Sequence, residues 1–138
     1  MSQDSLERFL KQQETMYETA LEELEDGYKM RHWMWYIFPQ LRGLGKSVMA
    51  WTYGIADVEE ARAYLAHPVL GQRLKACCEA LLQHKDLSAE DILGQIDAMK
   101  LRSCATLFAA ISEEGSLFHR VLDRFYEGKP DPMTLALL

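Results

Sequence analysis

Apolar side chains recur three and four residues apart along most of this 138-residue chain, a spacing that places them on one face of successive α-helices. The first such stripe covers Leu6–Leu24, where Ser5 or Asp4 can cap the start of the helix and Gly27 can end it. No segment alternates polar and apolar residues over several strands. The pattern therefore predicts a mainly α-helical single domain over residues 1–138, with six or seven helices.

Short polar residues mark the points where several later helices should begin. Ser47, Asp57 and Ser88 each precede a helical stripe and can accept a hydrogen bond from the backbone three residues later. Glu60 and Asp91 stand at that third position, so the pairs Asp57–Glu60 and Ser88–Asp91 match the capping-box pattern. These residues predict helix starts after positions 47, 57 and 88.

The segment from Arg31 to Gln40 fits neither regular pattern. Its aromatic and β-branched content would suit a short buried strand near residues 32–38, yet its length also suits two helical turns ended by Pro39. Both interpretations stay open. Six aromatic residues lie in and just after this segment: Trp33, Trp35, Tyr36, Phe38, Trp51 and Tyr53.

Composition excludes several classes of function. The net charge is −6 and the basic residues form no run, so a nucleic-acid partner is not expected. No stretch of 18 apolar residues exists to span a membrane, and the first residues lack the features of a secretory signal. Three cysteines with no CxxC spacing indicate reduced thiols, and we predict a cytoplasmic protein.

Neither metal nor cofactor chemistry is indicated. The four histidines (His32, His67, His84 and His119) lie at no metal-binding distance in sequence from one another or from a cysteine. The chain also lacks a Gly-x-Ser-x-Gly nucleophile motif. We therefore predict no bound metal and no cofactor, and we interpret the acidic residues between Glu22 and Asp26 as a solvated patch.

Gly45-Lys46-Ser47 ends like a phosphate-binding P-loop, but a true P-loop needs glycine where this chain has Gln40. We therefore exclude a nucleoside triphosphatase. A weaker interpretation is that backbone amides from Gly43 to Ser47, together with Lys46, hold one anionic group. The alternative is an ordinary glycine turn followed by a serine cap.

The aromatic and glycine-rich stretch of residues 31–47 is the candidate ligand site. We hypothesise that it binds a small phosphorylated, nucleotide-like or ADP-ribose-like ligand, and that it could also hydrolyse that ligand. The residues we assign to ligand binding are Arg31, Trp33, Trp35, Gln40, Gly43, Gly45, Lys46 and Ser47. Trp33 or Trp35 would stack on a planar ring. His32 is the candidate for proton transfer, because the pKa of histidine lies near neutrality.

A rival hypothesis makes the chain a non-catalytic interaction or structural protein. All the aromatic residues would then belong to the core, and the apolar C-terminus would dock on the core or form a homodimer. That C-terminus contains Leu135, Leu137 and Leu138. Whether the protein is an enzyme is left open by both hypotheses.

Asp97 and Lys100 stand one helical turn apart and can form an ordinary surface ion pair. They would bear on the ligand hypothesis only if their helix faced the aromatic segment.

Five motifs are spread along the chain, and Asp97 and Lys100 belong to the fourth of them. The motifs are His32-Trp-Met-Trp-Tyr-Ile-Phe-Pro-Gln40, Gly43-Leu-Gly45-x-Ser47, Glu60-Ala-x-Ala-Tyr-Leu-x-His67-Pro68, Asp97-x-x-Lys100-Leu101-x-Ser103 and Gly128-x-x-Asp131-x-x-Thr134-Leu135. With these motifs the chain resembles the family known as domain of unknown function 1810. The resemblance implies a mainly α-helical single domain, with no established activity.

Overall fold

The computed structural model describes residues 2–138, with side chains from residue 5 onward. Within that range the chain forms nine α-helices and no strand, which confirms a mainly α-helical fold. The helices are α1 (Ser2–Asp26), α2 (Met34–Ile37), α3 (Val48–Thr52), α4 (Val58–Ala66), α5 (Leu70–Leu82), α6 (Ala89–Leu93), α7 (Gln95–Ala110), α8 (Leu117–Tyr126) and α9 (Pro132–Leu137). The number exceeds the predicted six or seven because α2, α3, α6 and α9 are only four to six residues long.

Helices α5 and α7 lie at the centre of the fold. α1 and α4 pack on α5, and α8 packs on both α5 and α7. One apolar core joins them, and all three cysteines lie within it. Burial raises the pKa of Cys77 to about 12, so this thiol is protonated and unreactive at neutral pH.

The start of α1 differs from the prediction, because the helix already includes Ser2 and so begins before both proposed caps. Ser5 instead donates a hydrogen bond to Glu60 across the fold. The predicted end is correct, since Gly27 follows the last helical residue with φ of +83°, a left-handed conformation that favours glycine. A helix with 25 residues therefore runs along one side of the molecule.

The predicted caps are confirmed, although one box is incomplete. Ser47 and Asp57 accept hydrogen bonds from the backbone of Ala50 and Glu60, and Ser88 forms a full capping box. The Glu60 carboxylate does not complete the box at Asp57. It accepts hydrogen bonds from the Ala56 N–H and from the guanidinium of Arg8, because this glutamate is buried and needs cationic partners.

The aromatic segment, which the sequence left open, contains one helical turn rather than a strand. α2 occupies its centre, and the only bridge outside helices in residues 2–138 joins Leu41 and Ile55. Arg8 on α1 donates hydrogen bonds to the carbonyls of Thr52 and Gly54, which fixes the chain just before Ile55. The stretch between α1 and α4 thus depends on side-chain contacts more than on regular structure.

The C-terminal helix α9 does not dock its leucines on the core. Leu135, Leu137 and Leu138 are all exposed, while Thr134 in the same helix is fully buried. The part of the prediction that placed these leucines on the core is therefore wrong, and the homodimer alternative stays a prediction. None of the helices in the described part of the chain has the length and apolarity needed to cross a membrane.

Candidate functional site

A cleft of about 250 Å³ separates the aromatic segment from α7 and the start of α9. Its polar residues are Gln40, Lys100, Ser103 and Asp131, and its apolar residues are Leu44, Ile96, Met99 and Met133. Ile96, Met99 and Met133 are 73%, 71% and 65% exposed, which is unusual for large apolar side chains. The cleft therefore combines polar groups from three chain segments with exposed apolar surface, as ligand sites commonly do.

Lys100 is the cation of the cleft, and its position is set by an aromatic ring and a carboxylate. Its ammonium lies 4.5 Å from the centre of the Trp35 indole and 3.4 Å from Asp97 Oδ1. Attraction to the face of the indole restricts a side chain that would otherwise be mobile. Helix α7 does face the aromatic segment, so the condition set for the Asp97–Lys100 pair is met.

Two lysines share the Asp97 carboxylate. Lys29 binds Asp97 Oδ2 at 2.8 Å, and its side chain is almost buried. Because one carboxylate neutralises one ammonium group, the three residues carry a net positive charge. Lys29 has the shorter contact, which leaves Lys100 as the lysine with more capacity to bind an anion.

Trp35 is half-buried and has an unsatisfied polar atom. Its indole nitrogen is inaccessible to solvent, and no acceptor for it exists among the described residues. A small cavity of about 10 Å³, close to the volume that one water needs, is lined by Trp35 together with Gln40 and Lys100. Gln40 and Lys100 line the cleft as well, so the two spaces are neighbours.

Asp131 is held at the opposite wall through one carboxylate oxygen. Oδ2 accepts hydrogen bonds from Ser103 Oγ at 3.1 Å and from the Thr134 hydroxyl and N–H at 2.6 and 3.0 Å. Burial alone would raise the pKa of Asp131, but these hydrogen bonds outweigh it and lower the pKa. The cleft therefore presents a carboxylate that is ionised at neutral pH.

The cleft wall formed by the aromatic and glycine-rich stretch of residues 31–47 requires glycine at position 45. A Cβ atom there would lie 2.6 Å from the Cβ of Ala50 and 3.6 Å from the side-chain nitrogen of Gln40. Any other residue would therefore push the segment away from α3. Close approach of the backbone, rather than a phosphate, accounts for this glycine.

Glu23 on α1 anchors the segment from behind. Its Oε1 accepts hydrogen bonds from the Met30 N–H, the Arg31 N–H and the Trp33 indole N–H, and its Oε2 binds the Arg31 guanidinium at 2.7 Å. Burial would raise the pKa of Glu23, but these donors together lower it to about 2. The prediction of a solvated acidic patch is wrong for Glu23, which is buried, although Glu22 and Asp26 are exposed.

Several predicted ligand residues are occupied elsewhere in the fold. Trp33 is fully buried, so it has no face for a ligand ring, and the Arg31 side chain is paired with Glu23. Ser47 caps α3. One face of Trp35 is covered by Lys100, so Trp35 positions that lysine, and its role in stacking on a ligand stays a prediction.

The other predicted residues divide between the cleft and solvent. Gln40 and Gly45 line the cleft. His32, Gly43 and Lys46 are exposed and line neither the cleft nor the small cavity. Lys100 was considered from sequence only on the condition that its helix faces the aromatic segment, and three further cleft or near-cleft residues were not assigned to the site: Lys29, Ser103 and Asp131. Lys100, Ser103 and Asp131 stand in the Asp97-to-Ser103 and Gly128-to-Leu135 motifs, so the signal was present, but nothing in the sequence joined those motifs to the aromatic segment.

Comparison with known proteins shows which family and which solved structure this chain resembles. A search of curated proteins found no match. The conserved hypothetical protein Rv1873 from Mycobacterium tuberculosis has a crystal structure that resembles this chain with a TM-score of 0.94 and 46% sequence identity. The similarity covers 96% of this chain and 95% of that one. A family model described as protein of unknown function (DUF1810) matches residues 3–138. Because the match covers nearly the whole chain, the protein belongs to the DUF1810 family.

Proposed function

We propose that the protein binds a small anionic ligand of the phosphorylated or nucleotide-like class in the cleft between the aromatic segment and α7. One observation carries the proposal: Lys100, whose one carboxylate partner among residues 5–138 is Asp97, shares that partner with Lys29 and lies at a cleft with exposed apolar walls. An anion near Lys100 would complete the charge balance of the two lysines.

The exposed apolar residues suit the remainder of such a ligand. Ile96, Met99 and Met133 would pack against the planar or aliphatic part of the ligand that carries no charge. Methionine side chains adapt easily to different shapes. We assign ligand binding to this cleft, without hydrolysis of the ligand. His32, the residue considered for proton transfer, is exposed and lies outside the cleft lining.

The proposal is tested with pairs of compounds that differ in one anionic group. AMP and adenosine form one pair, and glucose 6-phosphate and glucose form another. We expect the phosphorylated member of a pair to raise the melting temperature and to bind by calorimetry, and the neutral member to bind much more weakly. Failure of every phosphorylated compound to bind at millimolar concentration would refute the proposal.

A lysine substitution locates the site. Lys100→Gln removes a charge-assisted hydrogen bond worth about 1.5–3 kcal/mol, so affinity for the phosphorylated compound should fall roughly ten- to hundredfold. Lys46→Gln is the matched control, because Lys46 is exposed and was the cation predicted from sequence. If Lys46→Gln weakened binding and Lys100→Gln did not, the ligand would lie on the glycine turn instead.

A homodimer through the C-terminus is the second candidate, and the exposed leucines of α9 favour it. The change Leu137→Ser would weaken such a dimer without disturbing the core. Light scattering coupled to size-exclusion chromatography should show a dimer for the wild type and a monomer for the variant. A wild-type monomer at high protein concentration would contradict this candidate.

We also propose that the protein works in the reducing environment of the cytoplasm. Its support is the set of three free, buried cysteines. Protein isolated from cells under rapid alkylation should contain no disulfide, and recovery of a disulfide-linked form would count against this location.

A further inference from the structure

We propose that Asp131 selects ligands that carry hydroxyl groups, so that the cleft binds a phosphorylated sugar, either free or as part of a nucleotide. The inference depends on the proposed function, because it assigns the second end of the ligand whose anionic group contacts Lys100. Asp131 would act as a specificity-determining residue.

The fold holds Asp131 rigidly while leaving half of its carboxylate available. Its backbone N–H donates to Thr106 Oγ1 at 2.8 Å, and its Oδ2 accepts the hydrogen bonds from Ser103 and Thr134. Oδ1 accepts no hydrogen bond from residues 5–138, and Asp131 lines the cleft. A fixed carboxylate with one free oxygen is a strong acceptor for hydroxyl groups.

Charge then orients the ligand. A phosphate group is attracted to Lys100 and repelled by Asp131, so the anionic end should lie on the aromatic-segment side and the uncharged end against Asp131. A carboxylate that binds sugar hydroxyls is a recurrent device in nucleotide-binding sites. Lys100 and Ser103 lie one turn apart on α7. The same helix therefore carries the lysine that would bind the phosphate and the serine that holds Asp131.

Size supports a compact sugar phosphate. The cleft volume of about 250 Å³ lies just below the range of about 300–1,000 Å³ that is usual for ligand sites. A monosaccharide phosphate or a mononucleotide is therefore a better match than a dinucleotide, which would extend well outside the cleft.

The test compares phosphorylated compounds with and without hydroxyl groups. The pairs are AMP with 2′,3′-dideoxy-AMP, and glucose 6-phosphate with n-hexyl phosphate; the two pairs also separate a nucleotide from a free sugar phosphate. Calorimetry on the full chain should show at least tenfold tighter binding of the hydroxylated member of one pair. Equal affinities within both pairs would overturn the inference while leaving the proposed function intact.

Asp131→Asn assigns the selectivity to this side chain. Asparagine also caps helices well, so α9 should persist. The ratio of affinities within the pair should fall towards one, and the hydroxyl-free phosphate should bind at least as tightly as before because a negative charge is gone. Asp57→Asn, which changes the cap of α4, should leave the ratio unchanged.

Two outcomes separate the two proposals. A ratio that Asp131→Asn does not alter would overturn the role of Asp131. Binding of no phosphorylated compound would overturn both proposals. If Asp131→Asn did not fold, wild-type ratios near one in both pairs would still overturn the inference, whereas the inference expects ratios of at least ten that Lys100→Gln leaves unchanged because it weakens both members of a pair by the same factor.

Discussion

Replacement of Glu23 by glutamine should destabilise the protein much more than a surface substitution. Glu23→Gln keeps the shape of the side chain but removes the charge that three N–H donors and the Arg31 guanidinium bind. The glutamine also places an NH₂ group among those donors, where it has no acceptor. Buried donors would then lose their partners, which is a costly type of change.

The magnitude follows from the pKa of Glu23. A fall in pKa from 4.5 in the unfolded chain to about 2 in the folded protein corresponds to about 3 kcal/mol of unfolding free energy at pH 7. Because the folded pKa is the lower one, this contribution is complete above about pH 5 and is lost as the pH falls towards 2. At pH 3 only about 1.5 kcal/mol should remain.

Urea denaturation of the wild type and Glu23→Gln at pH 7 and pH 3 measures both values. The difference in unfolding free energy should be about 3 kcal/mol at pH 7, with a loss of roughly 10 °C in melting temperature, and should be about half as large at pH 3. Glu22→Gln is the control, because Glu22 is the exposed neighbour on the same helix. Equal stability of the two variants at pH 7 would refute the role given to Glu23.

Three further predictions concern packing, capping and the thiols. Gly71→Ala should lower the unfolding free energy by about 2 kcal/mol in urea denaturation, despite the higher helix propensity of alanine, since its Cβ would meet the carbonyl oxygen of Leu65 at 2.1 Å; a stabilised variant would contradict this packing. Ser88→Ala should cost about 1 kcal/mol in the same assay by opening the capping box with Asp91, and an unchanged midpoint would show that the box contributes nothing. A thiol reagent should label the folded protein slowly and the urea-unfolded protein fully, and rapid labelling of the folded state would contradict the burial of its three cysteines: Cys77, Cys78 and Cys104.

Helix type and position were predictable because local rules determine them. Ser47, Asp57 and Ser88 cap helices as their sequence context indicates, and the 3.6-residue periodicity identifies the core faces of the long helices. The aromatic segment was not predictable in the same way. Its single turn of helix is held by side-chain contacts from Gln13 and Glu23 on α1, so neither propensity nor periodicity could determine it.

The acidic patch shows what periodicity could have revealed. Glu23 stands three residues after the buried Ala20 and directly before the buried Leu24, on the stripe that faces the core. A charged residue in such a stripe needs a partner, and Arg31 was near in sequence. The cluster of acidic residues suggested a solvated surface, whereas the position of Glu23 on the core-facing stripe of α1 correctly indicates that it is buried.

The candidate site was only half accessible to sequence reasoning. Gln40 and Gly45 were identified, because they belong to the aromatic and glycine-rich stretch. Lys100 was considered only conditionally and Asp131 was not identified, because the packing of α7 and α9 brings them there. Residues from three distant segments meet in the cleft, and a single sequence does not reveal such a meeting.

From Ser5 onward helix α1 lines no part of the cleft, yet three of its polar side chains hold α2, the stretch between α2 and α4 and the turn before α2 in place. Arg8 binds the carbonyls of Thr52 and Gly54 at the end of α3, Gln13 donates to the carbonyl of Tyr36 at 2.7 Å, and Glu23 accepts hydrogen bonds from the turn before Trp33 and from the Trp33 indole. Mutational scans that rank residues by loss of affinity would thus report these α1 positions alongside genuine contact residues. Measuring stability in parallel separates the two groups, since a support residue weakens binding and folding together, whereas a contact residue weakens binding alone.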